Sequence, residues 1–148
     1  MIHPYRGIIV RIFISVLFSL FLGAAAHAAD QNFPMDNGQI EFVLPSGNIG
    51  CIYTARGGTN VYVPEDGGPE LSCDRVEPSY QRFVLGKAGK AKLYKNVGDA
   101  SCCSSGPVLD YGNTWSRGDY WCKSTKSGLT CQRGKNGFFI SRAKANTF

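Results

Sequence analysis

Two stretches of this 148-residue chain repeat one another, and the repeat constrains the fold more than any other feature. Gly47-Asn-Ile-Gly-Cys51-Ile-Tyr-Thr54 matches Gly118-Asp-Tyr-Trp-Cys122-Lys-Ser-Thr125 in pattern, and Glu70-Leu-Ser-Cys73-Asp-Arg75 matches Gly128-Leu-Thr-Cys131-Gln-Arg133. Each unit reads as strand, connection, strand, with one cysteine on each strand. The echo therefore predicts the disulfides Cys51–Cys73 and Cys122–Cys131, each clamping two strands that are neighbours in sequence. Loop-closure entropy assigns each bond about 2–4 kcal/mol, a large share of the stability of a small domain. An old duplication and similar hairpin chemistry both account for the echo.

The rest of the chain agrees with β structure. Short runs rich in β-branched and aromatic residues predict strands near Ile40–Leu44, Ile49–Tyr53, Val61–Val63, Glu70–Asp74, Arg82–Leu85, Ala91–Tyr94, Tyr120–Ser124, Leu129–Gln132 and Phe138–Ser141. Turn formers separate them, among them Pro45-Ser-Gly-Asn48, Gly57-Gly58 and Lys126-Ser-Gly128. The expected fold is all-β: a small disulfide-stabilised sandwich or barrel with two related hairpin-like units. Residues 39–148 form the single domain, 29–38 a flexible N-terminal arm, and Ser141–Asn146 a final helical turn.

The first 28 residues read as an export signal. Arg6 and Arg11 precede the apolar run Ile12–Leu22, and Ala26-His27-Ala28 supplies a small-residue cleavage site before Ala29. The run is too short for a bilayer span of about 20 residues, so no membrane span is expected after cleavage. The protein is expected in the periplasm or outside the cell, where cysteines pair. Both histidines of the chain, His3 and His27, leave with the signal. Histidine-dependent catalysis and His-ligated zinc go with them. Removal of Arg6 and Arg11 leaves 14 basic residues against 11 acidic ones, a net +3, unevenly spread: Ala29–Tyr80 carries −6 and Gln81–Phe148 carries +9. A mixed soluble surface explains this; so does a basic face for an anionic envelope polymer or lipid headgroup. The spacing of Lys87, Lys90, Lys92 and Lys95 around a turn is no recognition pattern, and a nucleic-acid partner is not expected.

The adjacent Cys102 and Cys103 are the hardest to place. Trans-linked neighbours have Cα atoms about 3.8 Å apart, whereas most disulfides span roughly 4.4–6.8 Å. A bond between them would stiffen its loop and reduce easily; bonding to other partners is the alternative. C-x-x-C redox chemistry lacks its two intervening residues. A metal would require unpairing the other cysteines, and no cofactor motif is present, so neither a metal nor a cofactor is expected.

No catalytic residue stands out. Glu65-Asp66 lies in a turn rich in Gly and Pro, Asp99 and Asp110 suit local turn bonds, and no spacing selects a carboxylate pair. Binding has better material. Tyr111, Trp115, Tyr120 and Trp121 lie close together beside Arg117 and Lys123, and aromatic faces with cations hold sugar rings or peptides. The candidate surface is Tyr111, Trp115, Arg117, Trp121 and Lys123 with the Cys102–Cys103 loop. Alternation puts Trp121 and Lys123 on one face of their strand and Tyr120 and Cys122 on the other. At least one tryptophan is expected in the core.

Phe42-Val-Leu-Pro-Ser-Gly-Asn-Ile-Gly-Cys51, Leu71-Ser-Cys-Asp74, Tyr111-Gly-Asn-Thr-Trp115, Ser127-Gly-Leu-Thr-Cys131 and Asn136-Gly-Phe-Phe-Ile-Ser-Arg142 together carry a family likeness. In order and wording they resemble a family of small secreted or lipid-anchored bacterial proteins classed as a domain of unknown function. The resemblance covers nearly all of Ile40–Phe148 and implies an exported, disulfide-containing β domain with no catalytic residues to carry over. Many members hold a further cysteine pair; here Pro78-Ser-Tyr-Gln-Arg82 and Leu93-Tyr-Lys-Asn-Val97 stand in those regions without cysteine. The resulting expectation is a non-catalytic envelope-associated binding module, with a proteinaceous inhibitor or effector acting on a protein partner as the alternative.

Overall fold

Each half of the chain builds one antiparallel meander, and the two meanders pack face to face. The computed structural model describes residues 27–95, 97 and 106–148; most of the expected export signal, residues 1–26, and Cys102 and Cys103 lie outside the described residues. The first sheet runs β1 (Gln39–Val43), β2 (Ile49–Thr54), β3 (Glu70–Arg75), β4 (Gln81–Leu85), β5 (Lys92–Lys95) in that spatial order. The second runs β6 (Thr114–Arg117), β7 (Tyr120–Thr125), β8 (Gly128–Arg133), β9 (Asn136–Ile140), β10 (Ala145–Thr147), likewise in chain order. The expected all-β sandwich with two related units is what the chain forms.

Register shows how closely the halves correspond. In the first sheet Phe42, Cys51, Cys73 and Phe83 lie directly across from one another on successive strands. In the second, Trp115, Cys122, Cys131 and Phe138 do the same. Each sheet thus presents a row of aromatic, cysteine, cysteine, aromatic to the other. The rows meet: Phe42 packs on Trp115 with ring centroids 5.1 Å apart, and Phe83 on Phe138 at 5.4 Å. Between them lie the predicted disulfides, Cys51–Cys73 and Cys122–Cys131. Every member of both rows is at most 1% exposed. The row is an apolar layer about one side chain deep on each sheet, as face-to-face sheets about 10 Å apart require.

Polar ties close the sandwich at its rims. The buried Arg75 guanidinium donates through Nη1 to Ser141 O (3.1 Å) on the opposite sheet and through Nη2 to Gln81 Oε1 (2.7 Å). At the other end Tyr120 OH donates to Pro69 O (2.6 Å) and Arg133 Nη2 to Gly89 O (2.9 Å). The side of β1 away from β2 is covered by residues 107–109, through Val43 N–H to Pro107 O and Leu109 N–H to Val43 O.

Two expectations are corrected. Val61–Val63 is no strand but the apex of the β2–β3 loop, with Val61 95% exposed. Thr59 explains the shape: its hydroxyl accepts from the N–H groups of Val61 and Tyr62, closing a turn that a ladder would have to break. Ser141 begins no helical turn; its hydroxyl caps a bend through Lys144, and the chain continues as β10. Residues 29–38 run beside β6 and the core. Gln31 N–H donates to Thr114 O, Thr114 N–H donates to Ala29 O, and Phe33 stacks on Phe42 at 5.7 Å. β6 itself was not expected from the sequence.

Gly137 shows why a small residue is needed on β9. A Cβ there would stand 2.3 Å from Cys131 O and 2.8 Å from the Phe148 ring. Gly137→Ala is expected to cost about 1–3 kcal/mol by overpacking, seen as a lowered urea midpoint; an unchanged midpoint contradicts this packing.

Candidate functional site

The candidate surface does not assemble as one patch. Trp115 is 1% exposed and forms part of the core row, so it leaves the surface. Trp121 and Lys123 do share the outer face of β7, with Tyr120 and Cys122 turned inward. Tyr111 and Arg117 stand at opposite ends of the β6 region. Tyr111 lines a 370 Å³ depression with Lys126, Glu77 and Arg142 at one end of the sandwich, and exposed Arg117 lies at the other end, where its charge acts on Tyr53.

A larger concavity lies elsewhere: a groove of about 920 Å³ on the outer face of the first sheet. Its floor is the outward row of β2–β4, with Ile52 and Val84 either side of Ser72. The β2–β3 loop forms one wall with Tyr62, and the β4–β5 turn with β5 forms the other with Lys87, Lys90, Lys92 and Tyr94. These loops leave the same end of an antiparallel meander, which is why residues far apart in sequence meet. Asp66 joins them: Oδ2 accepts from Lys87 N–H (3.0 Å), Oδ1 from Gly68 N–H (2.9 Å), and Lys87 Nζ donates to Asp66 O. Glu65 adds an exposed pair with Lys92 at 3.2 Å, of the kind that contributes little stability in water.

At the base sits Glu70, 6% exposed. Its Oε1 accepts from Tyr62 OH (2.6 Å) and Ser72 Oγ (3.2 Å). Each groove carboxylate is thereby engaged: Asp66 by backbone N–H groups, Glu65 by Lys92, Glu70 by two hydroxyls. Among the described residues Lys90 has no carboxylate within ion-pair distance and is the uncommitted cation of the rim. Beside the groove the fully buried Asp74 takes Arg82 in a two-point grip, Nε to Oδ1 and Nη2 to Oδ2, both at 2.9 Å, with Tyr80 OH also donating to it.

Several phenols are held protonated. Burial first, then donation to Asp74, then that carboxylate's charge push Tyr80 up to about 12. Burial, followed by the bond to Glu70, raises Tyr62, and burial raises Tyr120. A raised acid pKa means the contribution is whole below the unfolded value of about 10 and is lost as pH climbs through the folded one. The urea midpoint is expected to fall as pH rises from about 10 to 12, and Tyr80→Phe, with no proton to lose there, to fall less steeply. A level profile across that window contradicts the network.

Metal-ligand atoms gather at one place among the described residues: the Sγ atoms of Cys51, Cys73 and Cys131 lie within 4.8 Å of one another. All three are in disulfides and offer no thiolate. Among the described residues no helix is long and apolar enough to cross a membrane. Cys102 and Cys103 lie outside the described residues; the described chain leaves at Val97, on the groove, and returns at Gly106 against Glu41 and Phe42. No protein-family model, curated protein or solved structure matches the chain.

The groove was not visible in the sequence. Glu70 read as part of a strand and Lys87–Lys92 as a turn with scattered charge. The nearest signal was the pairing of an acidic, glycine-rich loop with a basic turn, whose meeting depends on the strand order.

Proposed function

We propose that this chain is an exported, non-catalytic binding module of the bacterial envelope that holds an anionic polymer in the groove of its first sheet. The observation that carries the reading is the groove itself: an apolar floor at Ile52 and Val84, tyrosines on both walls, and three lysines on one rim. Tyr62 and Tyr94 are 44% and 42% exposed, enough to offer their rings to a ligand. Concave sites with a few convergent polar groups are where ligands bind, and lysines on the rim steer an anionic chain toward it. The engaged carboxylates support binding over proton transfer, since a general acid or base must be free to exchange its proton with substrate. The cleavage signature before Ala29 and the two buried disulfides support export to the periplasm or beyond. The resemblance to small secreted bacterial proteins points the same way.

Co-sedimentation of the processed protein with purified cell-wall polymer tests this. Binding is expected at low salt and is expected to weaken as salt screens the lysines. Lys90→Glu with Lys92→Glu should weaken it by about tenfold or more, roughly 1.4 kcal/mol or above. Equal binding by that variant would contradict the groove.

The exposed Val61 favours a second reading. It crowns a loop fixed by Thr59 and by the Tyr62–Glu70 bond, a pre-ordered projection suited to an apolar socket on a protein partner.

A further inference from the structure

The outer face of the second sheet carries an aromatic strip that the groove does not use. Trp121, Gln132 and Gly137 lie directly across from one another on β7, β8 and β9. Phe148 continues the row, pairing with Gly137 through two backbone hydrogen bonds of 2.9 Å. Phe139 stands in the neighbouring row beside Thr130 and Asn146.

The phenyl rings lie along the sheet. The far end of the Phe148 ring rests over Gly137 and that of Phe139 over Gly128, where an added Cβ would meet each ring at 2.8 Å. The glycines leave room for rings laid down. Lys144 Nζ stands over the Phe139 ring, 5.7 Å from its centroid, and exposed Lys123 lies in the same cross-strand row as Phe139. Of the acids at the margin, Asp30 accepts from the hydroxyls of Thr114 and Ser116, and Asp119 stands exposed in the β6–β7 turn.

We propose that this face is a second platform, on which a carboxylated glycan chain lies across the strands from Trp121 to Phe148. Sugar rings stack on the aromatics, Gln132 and Thr130 meet hydroxyls, and Lys123 and Lys144 meet carboxylates. Three strand steps of roughly 4.8 Å separate Trp121 from Phe148, so a linear chain crossing the strands passes over both. Rings laid along a sheet and interleaved with an amide and hydroxyls suit a glycan better than a bilayer, which calls for protruding apolar side chains. The proposal extends the reading of the groove by naming a glycan as the polymer. The groove and this strip face opposite directions, so one molecule bridges two chains, with avidity beyond either site.

The strip contains its own reporter. Trp115 is buried, so acrylamide quenching of tryptophan emission reads Trp121. Soluble glycan fragments of purified cell wall are the probe. They are expected to shield Trp121 by at least twofold in quenching constant, and to do so equally in Lys90→Glu/Lys92→Glu, where the groove is disabled. Phe148→Ala, checked for an unchanged unfolding midpoint, should raise the fragment concentration needed for half of that shielding about tenfold. Shielding lost in the groove variant, no shielding by the fragments, or shielding by phosphatidylglycerol vesicles alone would each overturn the proposal. Failure of the groove reading shows instead as a Lys90→Glu/Lys92→Glu variant that still clumps the fragments like the parent.

Discussion

Replacing Cys51 and Cys73 together by alanine is expected to lower the free energy of unfolding by about 3 kcal/mol. The bond joins residues 22 apart across the centre of the first sheet, and its loss frees that loop in the unfolded chain. The Cys122–Cys131 bond joins residues only 9 apart, so its removal should cost roughly 0.8 kcal/mol less by the same loop entropy. Both cystines are fully buried between the aromatic pairs, so each substitution also loses core contacts, and the order of the two variants is the sharper prediction. Urea unfolding at constant slope reads the effect. Burial also means that a reductant alone should leave both bonds intact until denaturant opens the sandwich. Equal stability of parent and either variant would contradict the two-clamp core, as would six free thiols in the native protein.

The two tryptophans should behave as opposites. Trp115 packs on Phe42 at 5.1 Å and on Tyr53 at 5.8 Å and has almost no contact with solvent. Trp115→Ala leaves a cavity that the paired sheets cannot close and is expected to cost about 3–5 kcal/mol. That is enough to unfold much of the population of a small domain at 37 °C. Trp121 is half-buried on an outer face, and Trp121→Ala should change stability by within about 0.5–1 kcal/mol while removing glycan contact. Thermal melts with binding assays on both variants separate the roles. A stable Trp115→Ala that has lost only binding would return that residue to the surface and break the register described above.

The disulfide pairing was legible because the echo placed cysteines at matching positions of two hairpins, which favours a bond within each. Strands such as β2 and β8 were legible as short runs set between turn formers. β6 was hidden because Thr114-Trp-Ser-Arg117 is short and polar apart from Trp115. The same alternation that told Trp121 from Tyr120 could not say which face was covered; that depended on Cys122 meeting Cys131 beneath Trp115. The groove was illegible for a different reason. Asp66 and Lys87 are 21 residues apart, and Tyr62 reaches Glu70 only after the loop folds back over its own sheet. Such contacts follow from topology, which local pattern does not encode. Lys87, Lys90 and Lys92 drew notice only as a charge count, because a basic turn becomes a rim once a wall stands opposite it.

Backbone chemical-shift mapping of residues 29–148, titrated with soluble anionic wall polymer, tests the central claim most directly. The account predicts that shifts at low salt include Ile52, Ser72, Val84 and Lys90, beside those of the Trp121–Phe148 row, and that they shrink as salt is added. Perturbations that leave those four residues untouched while the polymer binds elsewhere would contradict it.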